Sequence, residues 1–332
     1  MAIEQPYLLF LGDAPDQLAA KTARGIADWR PENCVGQLRF TDCRADVGLS
    51  DMSLDDAVAA GAKTLVVGVA NRGGVFSESW MEVLEQALDQ GLDLAAGLHG
   101  KLADVPQLTE AAARNGRRLF DVRHPSQTFA VGDGKKRPGK RLLTVGTDCS
   151  CGKMYTSLAL DREMRARGMN ADFRATGQSG ILIVGDGVSV DAVVADFISG
   201  ATEWLSPAND PDHWDVIEGQ GSLFHASFAG VSMGLLHGAQ PDALVMCHEP
   251  TRSHMRGLPD CGLPDLQLCI DTNLTAARLT NPDVRCIGVA VNTSLMDADA
   301  ARRYVGETEK ELGLPVVDPV RHGVAPLVDQ LI

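Results

Sequence analysis

The chain has 332 residues, 45% of them hydrophobic, which is more than one average domain needs, so two domains are expected. Its formal net charge of −14 argues against a nucleic-acid or membrane-surface partner, because those surfaces are themselves anionic. No apolar run reaches the ~18 residues of a membrane span, and the first residues lack a signal peptide's charged start and long apolar core. The eight cysteines form no paired C-x-x-C frame, so reduced thiols in a cytoplasmic protein are expected, with no structural zinc site.

In chain order, residues 7–11 read as a short buried strand followed by a helix over about 16–29. A second apolar strand over 64–69 leads into the loop Asn71-Arg72-Gly73-Gly74. A helix over 79–90 stops at Gly91, and a strand over 92–97 delivers Leu98-His99-Gly100. Strands alternating with helices predict an α/β fold with a parallel sheet. Such sheets bind ligands at the carboxyl ends of their strands, which makes both loops candidate site loops and Arg72 a candidate substrate contact. Residues 131–139, rich in glycine, charge and proline, mark the domain boundary and divide the chain into 1–137 and 138–332. The basic residues from Lys135 to Arg141 read as a solvated linker.

The most informative stretch is 140–160. The apolar run Leu142, Leu143, Val145 reads as a strand, and Leu158, Leu160 and Met164 begin a helical pattern. Between them Gly146 and Gly152-Lys153 have the spacing of a phosphate-binding loop, G-x-x-x-x-G-K. Glycines let backbone N–H groups converge on an anion, the helix N-terminus adds partial positive charge, and the lysine supplies a mobile cation. The cofactor-binding set is therefore Gly146, Thr147, Asp148, Cys149, Ser150, Cys151, Gly152, Lys153 and Met154. Met154 stands where a nucleotide hydrolase carries the Ser or Thr that holds magnesium, and Thr156 is too far along to replace it.

Beyond the loop, 171–180 reads as a strand closing in a polar glycine turn, with Ser189 and Asp191 capping a helix that carries Val193 and Ile198. Strands over 214–217, 243–247, 286–291 and 314–318 each end in a polar loop. Glu218 closes the first of these and could act as a general base or hold Mg²⁺. His248, Glu249, Arg252, His254 and Arg256 cluster after the second. Arg252 and Arg256 suit recognition of a dicarboxylate, because an arginine fork matches a carboxylate bidentately. Gln178, Gln220 and Glu249 are further candidate substrate contacts, and Asp148 could orient Lys153. His225 and the cluster around His248 have no strong zinc spacing, so no metal site is assigned.

Gly146-Thr147-Asp148 with Gly152-Lys153 and the acidic strand end at Glu218 resembles dethiobiotin synthetase and its P-loop relatives. A closer resemblance covers nearly the whole chain. The loop with its Gly-Lys-Met ending and the stretches 175–181, 191–197, 218–223, 234–244, 247–250 and 279–282 are similar to a family long described as a domain of unknown function. That family has a Rossmann-like N-terminal half and a P-loop C-terminal half, and it includes a D-glutamate N-acetyltransferase. The resemblance implies transfer of an acetyl group from acetyl-CoA to the amine of D-glutamate, in D-amino-acid catabolism. Glu218 or His248 would be the base, and coenzyme A phosphate would occupy the loop. Two other readings stay open, an ATP- and Mg²⁺-dependent ligase or kinase and a non-catalytic nucleotide or coenzyme A sensor. A homo-oligomer, a dimer or higher, is the expected assembly.

Overall fold

The computed structural model describes residues 3–17, 19–69, 76–125 and 127–332. The chain forms two compact units, Met1–Gln127 with Gly177–Ala192, and Thr128–Thr176 with Val193–Ile332.

The first unit is built on five parallel strands: β1 (Tyr7–Gly12), β2 (Cys34–Arg39), β3 (Thr64–Val67), β4 (Asp93–Ala96) and β5 (Leu119–Asp121), in the spatial order β2-β1-β3-β4-β5. Every residue of β1, β3 and β4 is buried, and apart from Thr64 and Asp93 at the strand starts their runs are apolar, as in a sheet covered on both faces. Burying each such Leu, Val or Phe side chain is worth roughly 1.5–3 kcal/mol. The register is in step across the centre, with Leu9 opposite Val66 and Val66 opposite Ala95. Helices α1 (Lys21–Trp29), α2 (Leu54–Ala59), α3 (Glu78–Asp89) and α4 (Pro106–Asn115) connect the strands. The first of them begins at Lys21 rather than near residue 16, because the Asp16 side chain takes the Ala19 N–H and holds a turn there. The Ser77 hydroxyl accepts the Trp80 N–H and starts α3.

The second unit carries six parallel strands: β6 (Lys140–Gly146), β7 (Ala171–Arg174), β8 (Trp214–Ile217), β9 (Ala243–His248), β10 (Arg285–Val291) and β11 (Val316–Val317). Their order is β11-β10-β9-β6-β8-β7, so β6 lies inside the sheet with Leu143 opposite both Leu244 and Ile217. Helix α5 (Lys153–Ala166) follows β6 directly after the glycine loop. After β7 the chain contributes residues 177–192 to the first unit as α6 (Gln178–Val184), which buries Ile181, Leu182 and Ile183 and stops at Gly185 with φ +85°. The polar glycine turn expected at 177–180 is thus the first turn of a helix. The helix expected from Ser189 is two short 3₁₀ turns, and regular helix begins only at α7 (Ile198–Leu205). Helices α8 (Ala229–Ala239), α9 (Leu266–Ala277), α10 (Ala298–Leu312) and α11 (Ala325–Val328) complete the unit.

The basic run before β6 is not a solvated linker throughout. Arg141 is fully buried, its guanidinium donating to the carbonyls of Arg137, Pro138, Gly139 and Pro207. Arg137 donates to Ser206 and to the Gly238 carbonyl, and so fastens the approach to β6 onto α7 and α8. All eight cysteines are free thiols, and no helix of the described residues is long and apolar enough to cross a membrane.

Candidate functional site

The site of the second unit grows from the end of β6. A Cβ on Gly146 would lie 2.7 Å from Cys151 Sγ and 3.0 Å from Lys153 Nζ, so the turn closes only around glycine. Ser150 and Gly152 adopt φ of +53° and +106°, the left-handed geometry that folds successive N–H groups inward. Among the described residues no acceptor takes the N–H groups of Ser150, Cys151 or Gly152. They stand at the N-terminus of the 14-residue α5, where its dipole is positive. Lys153 is only 6% exposed and returns over the loop to donate to the Asp148 carbonyl at 2.8 Å. This concave arrangement of N–H donors and a lysine suits an anion.

Arg252 and Asp148 brace it. Asp148 is buried, and its Oδ2 accepts from the Arg252 guanidinium at 2.6 Å and from the Arg256 N–H at 2.9 Å. Arg252 also donates to the Cys149 and Ser150 carbonyls and pairs with Glu249. Its fork is therefore spent on the loop. The Arg256 guanidinium makes no hydrogen bond or ion pair among the described residues, and its side chain is exposed.

The neighbouring strand ends carry the two candidate bases, Glu218 and His248. Glu218, 4% exposed, follows β8, and its Oε2 accepts the Thr176 N–H at 3.0 Å. The Thr176 hydroxyl bridges the Glu218 carbonyl and the Gln220 amide, so the ends of β7 and β8 are tied together. A Cβ on Gly219 would meet the Thr144 carbonyl at 1.7 Å and Lys153 Cδ at 3.0 Å, which places the lysine stem beside the Glu218 turn. His248 ends β9, and its Nδ1 lies 2.9 Å from the Thr147 hydroxyl. Burial lowers its pKa from 6.5 to about 4, so the ring is neutral near pH 7. Burial also raises the Cys149 thiol above its usual value, which leaves it protonated and disfavours it as a nucleophile.

The loop residues 146–153, Glu218, Gln220, His248, Glu249, Arg252 and Arg256 are thus parts of one strand-end edge in the second unit. Met154 sits in the first turn of α5 and offers no hydroxyl, and the Thr156 hydroxyl is directed to the Gly152 carbonyl. Gln178 belongs to the first unit, where its side chain covers Gly97. Arg72 lies outside the described residues.

Sequence reasoning passed over Thr144, Thr176, Asn292 and Asp318. Thr176, Asn292 and Asp318 sit just beyond strand ends, where the strand-end rule was the signal that could have found them, and Thr144 lies inside β6. Asp148, Cys149 and His225 also bring one potential ligand atom each within 4.8 Å of one another. However, His225 Nε2 is bonded to the Arg256 carbonyl and its Nδ1 accepts from Ser227.

Comparisons with known proteins divide the chain near residue 128, with residues 177–192 inside the C-terminal match. A P-loop domain of unknown function, DUF1611_C, matches residues 129–328, and a Rossmann-like domain of unknown function, DUF1611_N, matches residues 39–125. A D-glutamate N-acetyltransferase from Tritonibacter scottomollicae is 59% identical over 99% of both chains. One from a Pseudoalteromonas species is 51% identical over the full length of both. The crystal structure of a DUF1611 family protein from Anabaena variabilis superimposes with a TM-score of 0.88 at 32% identity, covering 99% of each chain. The glycine loop between β6 and α5, two parallel sheets and similarity along the whole length lead to one conclusion: the chain belongs to the DUF1611 family, with a Rossmann-like and a P-loop domain.

Proposed function

We propose that the protein is a D-glutamate N-acetyltransferase that uses acetyl-CoA as donor. The observation that carries this reading is the shared name of two relatives that match the chain over its whole length. The site's chemistry supports it. Coenzyme A brings phosphates, and the unpaired N–H groups of Ser150, Cys151 and Gly152 together with Lys153 form a seat for one of them. A loop without the usual magnesium hydroxyl suits holding phosphate better than transferring it.

In the proposed reaction Glu218 takes a proton from the D-glutamate ammonium, and the freed amine attacks the thioester carbonyl. A C–N bond forms as the carbonyl electrons move to oxygen, giving a tetrahedral oxyanion. Collapse breaks the C–S bond, and the thiolate of coenzyme A accepts the proton released by nitrogen. Arg256, unpaired and exposed, takes a substrate carboxylate, while Arg252 keeps the loop rigid. The free thiols support a cytoplasmic location, and we assign the working form to a homo-oligomer.

The test is thiol release from acetyl-CoA with D-glutamate, L-glutamate or no amino acid, with and without Mg²⁺-ATP. Release that requires D-glutamate and not ATP is expected. ADP production without thiol release would overturn the reading in favour of phosphoryl chemistry.

A further inference from the structure

Beside the phosphate loop lies a cavity of about 340 Å³, within the range of small-ligand sites. One wall is the loop and first turn of α5, including Gly152 and Tyr155; the other is formed by the ends of β10 and β11, including Val291, Asn292, Pro319 and Val320. The acetyl-transfer chemistry uses only its loop wall.

Its polar groups discriminate between bases. The Asn292 Oδ1 accepts the Ser294 N–H, which leaves the amide NH₂ as a donor for a ring nitrogen. Asp318, the acid among the lining residues, accepts from the Thr293 N–H and hydroxyl and from the Val320 and Arg321 N–H groups. With four donors on its two oxygens it cannot also accept the N1–H and N2–H of guanine. Mainly apolar walls, an amide donor and no carboxylate left to take N1–H and N2–H suit adenine instead, whose ring nitrogens are all acceptors.

The geometry points to this cavity as the subsite for the adenine ring of the acyl donor, an inference that rests on the acetyl-CoA reading above. Strand order then gives the donor a direction. The cavity lies on the β10–β11 side of β6, and Glu218 follows β8 on the other side. A donor with its base in the cavity and a phosphate on the loop runs its pantetheine arm past Lys153 toward Glu218.

Calorimetry with adenosine 3′,5′-bisphosphate, which carries base and phosphates but neither pantetheine nor acetyl, tests the subsite directly. Guanosine 3′,5′-bisphosphate is the comparison. The adenine ligand should bind at least tenfold more tightly. Val320→Trp, at an exposed cavity-wall position, should weaken it at least tenfold, and Asn292→Asp should narrow or reverse the preference. Circular dichroism of each variant reports folding. Equal affinity for both bases, or unchanged binding in both folded variants, overturns the subsite. Selective adenine binding without acetyl transfer keeps the subsite and removes the acetyltransferase reading; acetyl transfer without adenine selectivity does the reverse.

Discussion

At the scale of single residues, Glu218 and His248 are distinguishable by experiment. Glu218→Gln keeps the size and the hydrogen bond to Thr176 but cannot take a proton, so kcat should fall by about 10²–10⁴. Binding of coenzyme A, measured calorimetrically, should not change. The His248 ring instead reports through stability. Its folded pKa of about 4 lies below the ordinary 6.5, so between those values the unfolded chain binds a proton that the folded chain refuses. The contribution is complete above pH 6.5 and is lost as pH falls toward 4, by up to about 3 kcal/mol. Thermal unfolding at pH 7 and pH 5 should show this slope, and His248→Asn should flatten it. The two arginines separate by substrate. Arg252→Ala should raise KM for acetyl-CoA about tenfold by loosening the loop, whereas Arg256→Ala should raise KM for D-glutamate. The reverse pattern would exchange their roles. Lys153 and the glycines were legible because their spacing is local. The bond from Arg252 to Asp148 was not, since 104 positions separate the two residues.

Among the elements, the strand–loop–helix of β6 and α5 controls the site, and it depends on close backbone approaches. Gly219→Ala forces a Cβ against the Thr144 carbonyl of β6, and should cost about 3 kcal/mol. Chemical denaturation measures it, with Gly230→Ala in α8, where a Cβ meets nothing and the change should be neutral to slightly stabilising, as the comparison. Continuous apolar runs such as β1, β3 and β9 were readable because burial on both faces leaves no polar interruption. β2 was not, because Gly36 and Gln37 interrupt it; the Gln37 side chain is buried only because it bonds Asp46, Asp51 and Val47. α6 reads as a turn for a similar reason. Its first residues are turn formers, and Ile181–Ile183 become a helical face only through burial in the first unit.

For the whole molecule, the return of residues 177–192 to the first unit makes the two units interdependent in sequence. Expressed alone, residues 138–332 would carry α6 without the unit that buries Ile181, Leu182 and Ile183, and should aggregate. Replacing 177–192 by a short glycine–serine linker should restore solubility, as size-exclusion chromatography would report. No linear reading reveals such an excursion, because composition does not change where it begins. In the proposed reaction the acetyl group passes directly to the amine from a donor held on the phosphate loop. Incubation of ¹³C-acetyl-CoA with D-glutamate, followed by mass spectrometry of small molecules and intact protein, tests it most directly. Label on the D-glutamate nitrogen without ATP, and none on the protein, is expected; label retained on the protein, or a product formed only with Mg²⁺-ATP, would rule out direct transfer.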